Sequence, residues 1–138
     1  MGAIQVGQSA QHSFSLTHRD IELYVELSGD SNDIHHDTSA GIRSPLQAGG
    51  TVPGMLSGLV FARIFGTLLP GHGSVYRTLT IDFDKPVFVD REYVATCTVT
   101  ELMPERRRAR FETVIVDAVS SEVVVKGTAV IIHNERLR

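Results

Sequence analysis

Apolar residues recur along the chain at two spacings, helical in the first half and strand-like in the second. Residues 12–16 (HSFSL) are predicted as a short strand, and residues 17–29 (THRDIELYVELSG) as an amphipathic helix. The apolar face of that helix consists of Ile21, Tyr24 and Val25. Its ends are marked by a capping box of Thr17 and Asp20 and by Gly29 at the C-terminal cap.

The most apolar segment of the chain, residues 51–71 (TVPGMLSGLVFARIFGTLLPG), is predicted as a second helix, with Arg63 as its only charge. Thr51 is predicted to cap this helix, Pro53 suits its first turn, and Pro70 ends it. Between these start and stop signals the helix itself is about 14 to 16 residues long, which is shorter than the roughly 20 residues that a membrane span needs. A helix that is apolar nearly all round is therefore expected to be buried inside the protein.

The spacing of apolar residues then changes to two, which is typical of strands. Four strands are predicted, at residues 74–83 (SVYRTLTIDF), 93–99 (YVATCTV), 109–116 (ARFETVIV) and 123–132 (VVVKGTAVII). In the first of them the shared apolar face is predicted to contain Val75, Leu79, Ile81 and Phe83. One apolar helix followed by consecutive strands indicates an α+β protein, with an antiparallel sheet wrapped around the helix as in a hot-dog fold. An edge strand of such a sheet favours pairing with a second copy, so a homodimer is expected.

Composition and charge indicate the number of domains, the kinds of partner and the cellular compartment. The 138 residues fit a single domain over residues 1–138, and 42% hydrophobic residues are enough for a core. With 13 basic and 16 acidic residues, the net charge of -3 predicts neither a nucleic-acid partner nor a membrane-binding face. The single Cys97 indicates a reducing compartment, and the first ten residues show no signal peptide, so a cytoplasmic protein is expected.

Proton-handling residues are concentrated in residues 27–37 (LSGDSNDIHHD), where the first predicted helix ends. In the simplest interpretation Asp30 and His35 only satisfy backbone donors in a loop that leaves a helix. The acidic and histidine residues of this stretch suggest a metal site as an alternative, formed from Asp30, Asp33, His35, His36 and Asp37. No pair of histidines at helical spacing and no cysteine pair supports that alternative.

Three segments resemble the MaoC-like family of (R)-specific enoyl-CoA hydratases. Residues 24–37 (YVELSGDSNDIHHD) are similar to the family's Gly-Asp-x-Asn-Pro-hydrophobic-His signature, which follows a helix. Residues 51–59 (TVPGMLSGL) resemble the start of its central helix, and residues 69–92 resemble its next strand and Lys-Pro-Val segment. The residues that match the signature are Tyr24, Ser28, Gly29, Asp30, Asn32, Ile34, His35 and Asp37.

The resemblance implies hydration of a trans-2-enoyl thioester, or the reverse dehydration. It implies that Asp30 and His35 activate one water, that Asn32 helps to hold the loop, and that the Gly54 N–H binds the thioester oxygen. The implied substrate is a thioester of coenzyme A or of acyl-carrier protein. No metal and no cofactor are implied.

The chain departs from the family pattern at two positions and leaves other functions open. Asp33 stands where the signature has proline, and Pro53 stands where the central helix has histidine. A thioesterase on the same fold and a non-catalytic acyl-thioester binding domain are the alternatives. Leu56 and Leu59 are expected either to line an acyl pocket or to belong to the core. Residues 105–110 (ERRRAR) suggest a coenzyme A phosphate contact, although a solvated hairpin turn is the favoured interpretation.

Overall fold

The computed structural model describes residues 2–32 and 50–138. The strands in these residues are β1 (Ser9–Phe14), β2 (Val75–Phe83), β3 (Tyr93–Met103), β4 (Arg108–Asp117) and β5 (Val123–Ile132). The helices are α1 (His18–Ser28), α2 (Gly54–Gly58), α3 (Val60–Arg63) and a π-helical turn (Ile64–Leu68). The last three follow one another directly, and we call residues 54–68 the central helical segment.

The five strands form one antiparallel sheet in the order β1-β3-β4-β5-β2, so β1 and β2 are its edges. Alternate residues of β3 and β4 are fully buried, as expected when one face of a sheet covers a core. Phe65 of the central helical segment packs edge-on against Phe111 of β4, with ring centroids 5.0 Å apart. The predicted α+β architecture is therefore confirmed.

The first helix was predicted closely, and the strand before it less so. Thr17 Oγ1 accepts a hydrogen bond from the Asp20 N–H at 3.2 Å, and the Thr17 N–H donates to Asp20 Oδ2 at 2.8 Å, which completes the capping box. The predicted strand at residues 12–16 is displaced to Ser9–Phe14. Six residues of β1 pair with residues 93–98 of β3, and this pairing sets the strand's bounds.

The central helix differs from the prediction at both ends. It begins at Gly54 with Pro53 at the N-cap position, so Thr51 is not its cap; Thr51 instead forms an isolated bridge with Phe88. Its last turn widens into π-helix, where the Leu69 N–H donates to the Ile64 carbonyl at 2.8 Å. Within the described ranges, no helix has both the length and the apolar character that crossing a bilayer requires.

The expectation that the central helix is buried all round is wrong for the described residues. Phe61 and Phe65 are completely buried, whereas Met55 is 60% exposed and Leu59 is 55% exposed. One side of the segment faces the sheet, and the opposite side carries apolar residues that the described part of this chain leaves uncovered.

Strand β2 contains a bulge that changes which residues face the central helical segment. The register with β5 shifts between Tyr76 and Thr78. Tyr76 therefore contacts Phe65, with ring centroids 5.6 Å apart, and the face continues through Ile81 and Phe83. Val75, which was predicted to share this face, precedes the bulge and is 57% exposed.

Candidate active site

Asp30 lies at the point where α1 releases the chain. Gly29 has the left-handed conformation (φ 75°), and its N–H donates to the Val25 carbonyl at 2.8 Å. Glycine adopts this conformation without the steric cost that a side chain would add, so the helix ends here. The chain turns back at this cap, which brings the Asp30 carboxylate near a side chain of the preceding helix.

Two hydrogen-bond donors among the described residues hold the Asp30 carboxylate. Tyr24 OH donates to Oδ2 at 3.2 Å, and the Asn32 N–H donates to Oδ1 at 3.2 Å. The Asp30 N–H in turn donates to Ser28 Oγ at 3.0 Å. The backbone contact matches the simplest interpretation of the sequence, in which Asp30 satisfies a loop N–H. The phenol contact is additional, because it comes from a side chain of α1.

The other half of the predicted pair lies outside the described residues. This applies to His35, and equally to Asp33, His36 and Asp37 of the alternative metal site. Among residues 2–32 and 50–138, no group of three or more His, Cys, Asp and Glu side chains is placed to hold a metal ion. The convergence of Asp30 and His35 on one water remains a prediction.

Gly54 begins the central helical segment, with backbone N–H groups available at this end. The Pro53 carbonyl accepts hydrogen bonds from the N–H groups of Leu56 and Ser57, at 3.0 and 3.1 Å. Ser57 Oγ donates to the Gly54 carbonyl at 2.6 Å and fixes this turn. Within the described part of the chain, the N–H groups of Gly54 and Met55 donate no hydrogen bond. The first N–H groups of a helix lack partners in the helix itself, and they favour an electron-rich oxygen.

A cavity of about 270 Å³ opens beside Gly54. Its lining residues are Thr51, Val52, Gly54, Ser57, Phe83, Asp84, Lys85, Pro86, Val87 and Val125. A side chain at position 54 would meet the Phe83 ring, because an added Cβ would lie 3.2 Å from the nearest ring carbon. The glycine therefore lets the ring approach the start of the helix closely.

Of the three predicted site residues that the structure describes, one lines the cavity and two do not. Gly54 lines it, whereas Asp30 and Asn32 do not. Neither Leu56 nor Leu59 lines it: Leu56 is 8% exposed and belongs to the core, and Leu59 is largely exposed. Among the described residues, the structure thus groups Asp30 with Asn32 and Tyr24, and separately places Gly54 in a cavity.

Ser57, Phe83 and Lys85 line the cavity although the sequence analysis gave none of them a functional role. Lys85 belongs to the Lys-Pro-Val segment, so the resemblance marked its position without assigning it a contact. Ser57 follows Gly54 by one helical turn, and that spacing was the available signal for it. Phe83 comes from a distant strand, and no local pattern connects it to Gly54.

Charged residues around the cavity are paired. Lys85 forms an ion pair with Glu122, and Lys126 Nζ lies 3.4 Å from Asp84 Oδ2. The arginines of residues 105–110 do not line this cavity; Arg110 pairs instead with Glu101 across the β3–β4 hairpin. The favoured interpretation of that run, a solvated hairpin turn, is consistent with its exposed 3₁₀ turn at Pro104–Arg106.

The sequence is similar to a known family and to named enzymes over most of its length. A family model described as "MaoC like domain" matches residues 2–124. The chain is 33% identical over 128 residues to a protein of Rhodospirillum rubrum named (R)-specific enoyl-CoA hydratase, covering 93% of this chain and 87% of that protein. It is 32% identical over 130 residues to a 3-hydroxybutyryl-CoA dehydratase of Methylorubrum extorquens, covering 93% and 80% of the two chains.

A solved structure shows the same fold. The (R)-hydratase from A. caviae involved in PHA biosynthesis superimposes with a TM-score of 0.88 at 30% sequence identity, covering 96% of this chain and 99% of the other. The architecture of the described residues is therefore the hot-dog fold that the strand pattern predicted.

Proposed function

The chain belongs to the MaoC-like family and is a hydro-lyase, and on that premise we propose that it hydrates trans-2-enoyl-CoA thioesters to (R)-3-hydroxyacyl-CoA, or catalyses the reverse dehydration. Asp30 and His35 activate the water, Asn32 supports their loop, and the Gly54 N–H binds the thioester oxygen. The proposal involves no metal and no cofactor. The observation that carries it is the similarity to named hydratases and a dehydratase over most of the chain, because a fold alone does not define a reaction.

Addition of water needs a base, an acid and a hydrogen-bond donor for the thioester oxygen. The water oxygen bonds to C3 of the enoyl group while a base takes one of its protons, and an acid delivers a proton to C2. Electron density meanwhile moves to the thioester oxygen. Asp30 and His35 supply the acid–base pair, and one such group is typically worth about 10²–10⁴ in rate. Each Asp30 oxygen accepts one hydrogen bond from residues that the structure describes, and a carboxylate oxygen has capacity for a second, from water.

The start of the central helical segment is suited to the oxyanion role. The Gly54 N–H makes no hydrogen bond within the described residues, and Gly54 lines a cavity. Loss of one oxyanion donor typically costs about 2.7–4 kcal/mol of barrier. Because the donor is a backbone group, Pro53 in place of the family's histidine does not remove it.

Substitution of the two side chains tests the proposal. Asp30→Asn and His35→Ala are each expected to abolish most hydration of crotonyl-CoA while leaving the melting temperature nearly unchanged. Asp82→Asn is the matched control, since Asp82 is an exposed carboxylate on β2 that does not line the Gly54 cavity. Turnover at the wild-type rate in either site variant would exclude the acid–base pair.

The same assay separates the alternative functions. A hydratase removes the absorbance of the enoyl group without releasing thiol, whereas a thioesterase releases thiol from a saturated acyl-CoA. A binding domain would retain acyl-CoA without turning over any enoyl substrate. Parallel assays with crotonyl-CoA and crotonyl-carrier protein identify the carrier, which is either coenzyme A or acyl-carrier protein.

We also propose a homodimer that covers the β2 edge. All nine residues of β2 are exposed or half-buried in the single chain, although five of them are apolar or aromatic. An apolar edge strand of this length is a ready template for pairing with another chain. Leu79→Lys is expected to convert a dimer to a monomer in sedimentation equilibrium, and a wild-type protein that is monomeric at high concentration would exclude the proposal.

We also propose that residues 1–138 form one domain and that the protein is cytoplasmic. The fully buried free thiol of Cys97 is compatible with a reducing compartment.

A further inference from the structure

The hydrogen bond between Tyr24 and Asp30 connects the rigid helix α1 to the loop that leaves it. The two residues are six positions apart, and their side chains meet because the chain reverses at Gly29. Tyr24 OH is 3.2 Å from Asp30 Oδ2, while the opposite oxygen receives the Asn32 N–H. Among the described residues, each carboxylate oxygen of Asp30 therefore has one donor.

The phenol ring itself is well anchored. Tyr24 is half-buried and packs against the hydrophobic core, on the same side of α1 as the buried Ile21. The capping box at Thr17 and the left-handed Gly29 fix both ends of the helix. The Tyr24 hydroxyl therefore extends from a fixed helix, α1, to Asp30, which lies beyond the end of that helix.

Tyr24 keeps its proton at neutral pH. Burial raises the pKa of the Tyr24 phenol above its usual value of 10.0, and the hydrogen bond to Asp30 and that carboxylate's charge raise it further, against a smaller lowering by Ser28. A phenol in this state donates to Asp30 over the whole pH range of an ordinary assay.

We propose that Tyr24 is a positioning residue, whose hydroxyl orients the Asp30 carboxylate. The inference rests on the proposed function, because it assumes that Asp30 activates water. Hydrogen bonds to charged groups are stronger than those between neutral groups, so this contact is able to hold a carboxylate in one orientation. Without the hydroxyl, the carboxylate loses one of the two contacts from the described residues that orient it.

Tyr24→Phe removes only the hydroxyl and keeps the ring. For hydration of crotonyl-CoA we expect kcat to fall about tenfold, with KM changed less than about twofold, as expected for loss of one hydrogen bond to an ionised group. The melting temperature should stay unchanged, so that the loss of turnover is separated from a loss of stability. Tyr76→Phe is the matched control, since it removes a half-exposed phenol hydroxyl that makes no hydrogen bond among the described residues.

Parallel measurement of Asp30→Asn separates failure of this inference from failure of the proposed function. If Asp30→Asn retains turnover, both are overturned. If Asp30→Asn is inactive and Tyr24→Phe keeps the wild-type kcat, only the positioning role is overturned. A lower kcat together with a lower melting temperature would also overturn it, because such a variant has merely lost stability.

Discussion

Gly127 of β5 provides the sharpest test of how β2 is held on the sheet. A Cβ added at Gly127 would lie 1.8 Å from the Thr80 carbonyl oxygen and 3.1 Å from Ile81 Cα. Both atoms belong to the β2 backbone, which cannot move aside as a flexible side chain does. Gly127→Ala must therefore displace part of β2 from β5.

The cost of this substitution follows from three effects. Overpacking a well-packed site typically costs about 1–3 kcal/mol, and each strand hydrogen bond lost adds about 0.5–1.5 kcal/mol. Alanine also restricts the unfolded chain, which offsets about 0.4–1 kcal/mol. We expect Gly127→Ala to lower the free energy of unfolding by about 2–4 kcal/mol.

Gly66 is the matched control, because a Cβ added there meets nothing within 4 Å. Gly66 lies in the π-helical turn, and Gly66→Ala should stabilise the protein by about 0.5–1 kcal/mol. Urea unfolding at one fixed protein concentration measures both variants, since any dimer makes stability concentration-dependent. Equal stability of Gly127→Ala and the wild type, or an equal loss in both variants, would refute the close contact between β5 and β2.

Three further predictions concern other parts of the fold. Thr17→Ala should destabilise the protein by about 1 kcal/mol through loss of the N-cap, whereas Thr17→Ser should not, as measured by urea unfolding. Burial raises the pKa of the Cys97 thiol to about 12, so iodoacetamide at pH 8 should label it only in denaturant; labelling of the native protein would contradict this burial. The N–H groups of Val119 and Ser120 lower the pKa of Asp117 below its usual value of 3.8, so its stabilisation is present above that pH and is lost as the pH falls through the lower folded value. Melting curves from pH 2.5 to 7 should consequently show a weaker acid dependence for Asp117→Asn.

Elements with local signals were predictable, and those that depend on distant pairing were not. Both ends of α1 are marked by residues of the same short segment, namely the capping box of Thr17 and Asp20 and the C-terminal cap Gly29. The sequence alone therefore placed α1 correctly. The start of β1 depends on its partner β3 and was misplaced. The bulge after Tyr76 depends on the register with β5, so the interpretation that put Val75 on the inner face was wrong.

The candidate site likewise contains features with local sequence signals and one contact that depends on distant segments. The sequence marked Asp30 and Gly54, and the Tyr24–Asp30 contact was within reach of local reasoning, since a left-handed cap at Gly29 turns the chain back along the helix. The contact of Phe83 with Gly54 depends on where β2 crosses the start of the central helical segment. No spacing within either segment encodes that crossing.

The exposed apolar face of β2 shows why a hydrophobic pattern cannot by itself separate a core from an interface. Leu79 and Phe83 fall on the predicted inner face, yet they are 39% and 48% exposed in the single chain. Met55 and Leu59 of the central helical segment are exposed as well. The periodicity that predicts burial is the same whether a residue is covered by its own chain or by another. This chain buries alternate residues of β3 and β4 but leaves the apolar face of β2 exposed, and the difference points to a missing covering surface, which the proposed second copy would supply.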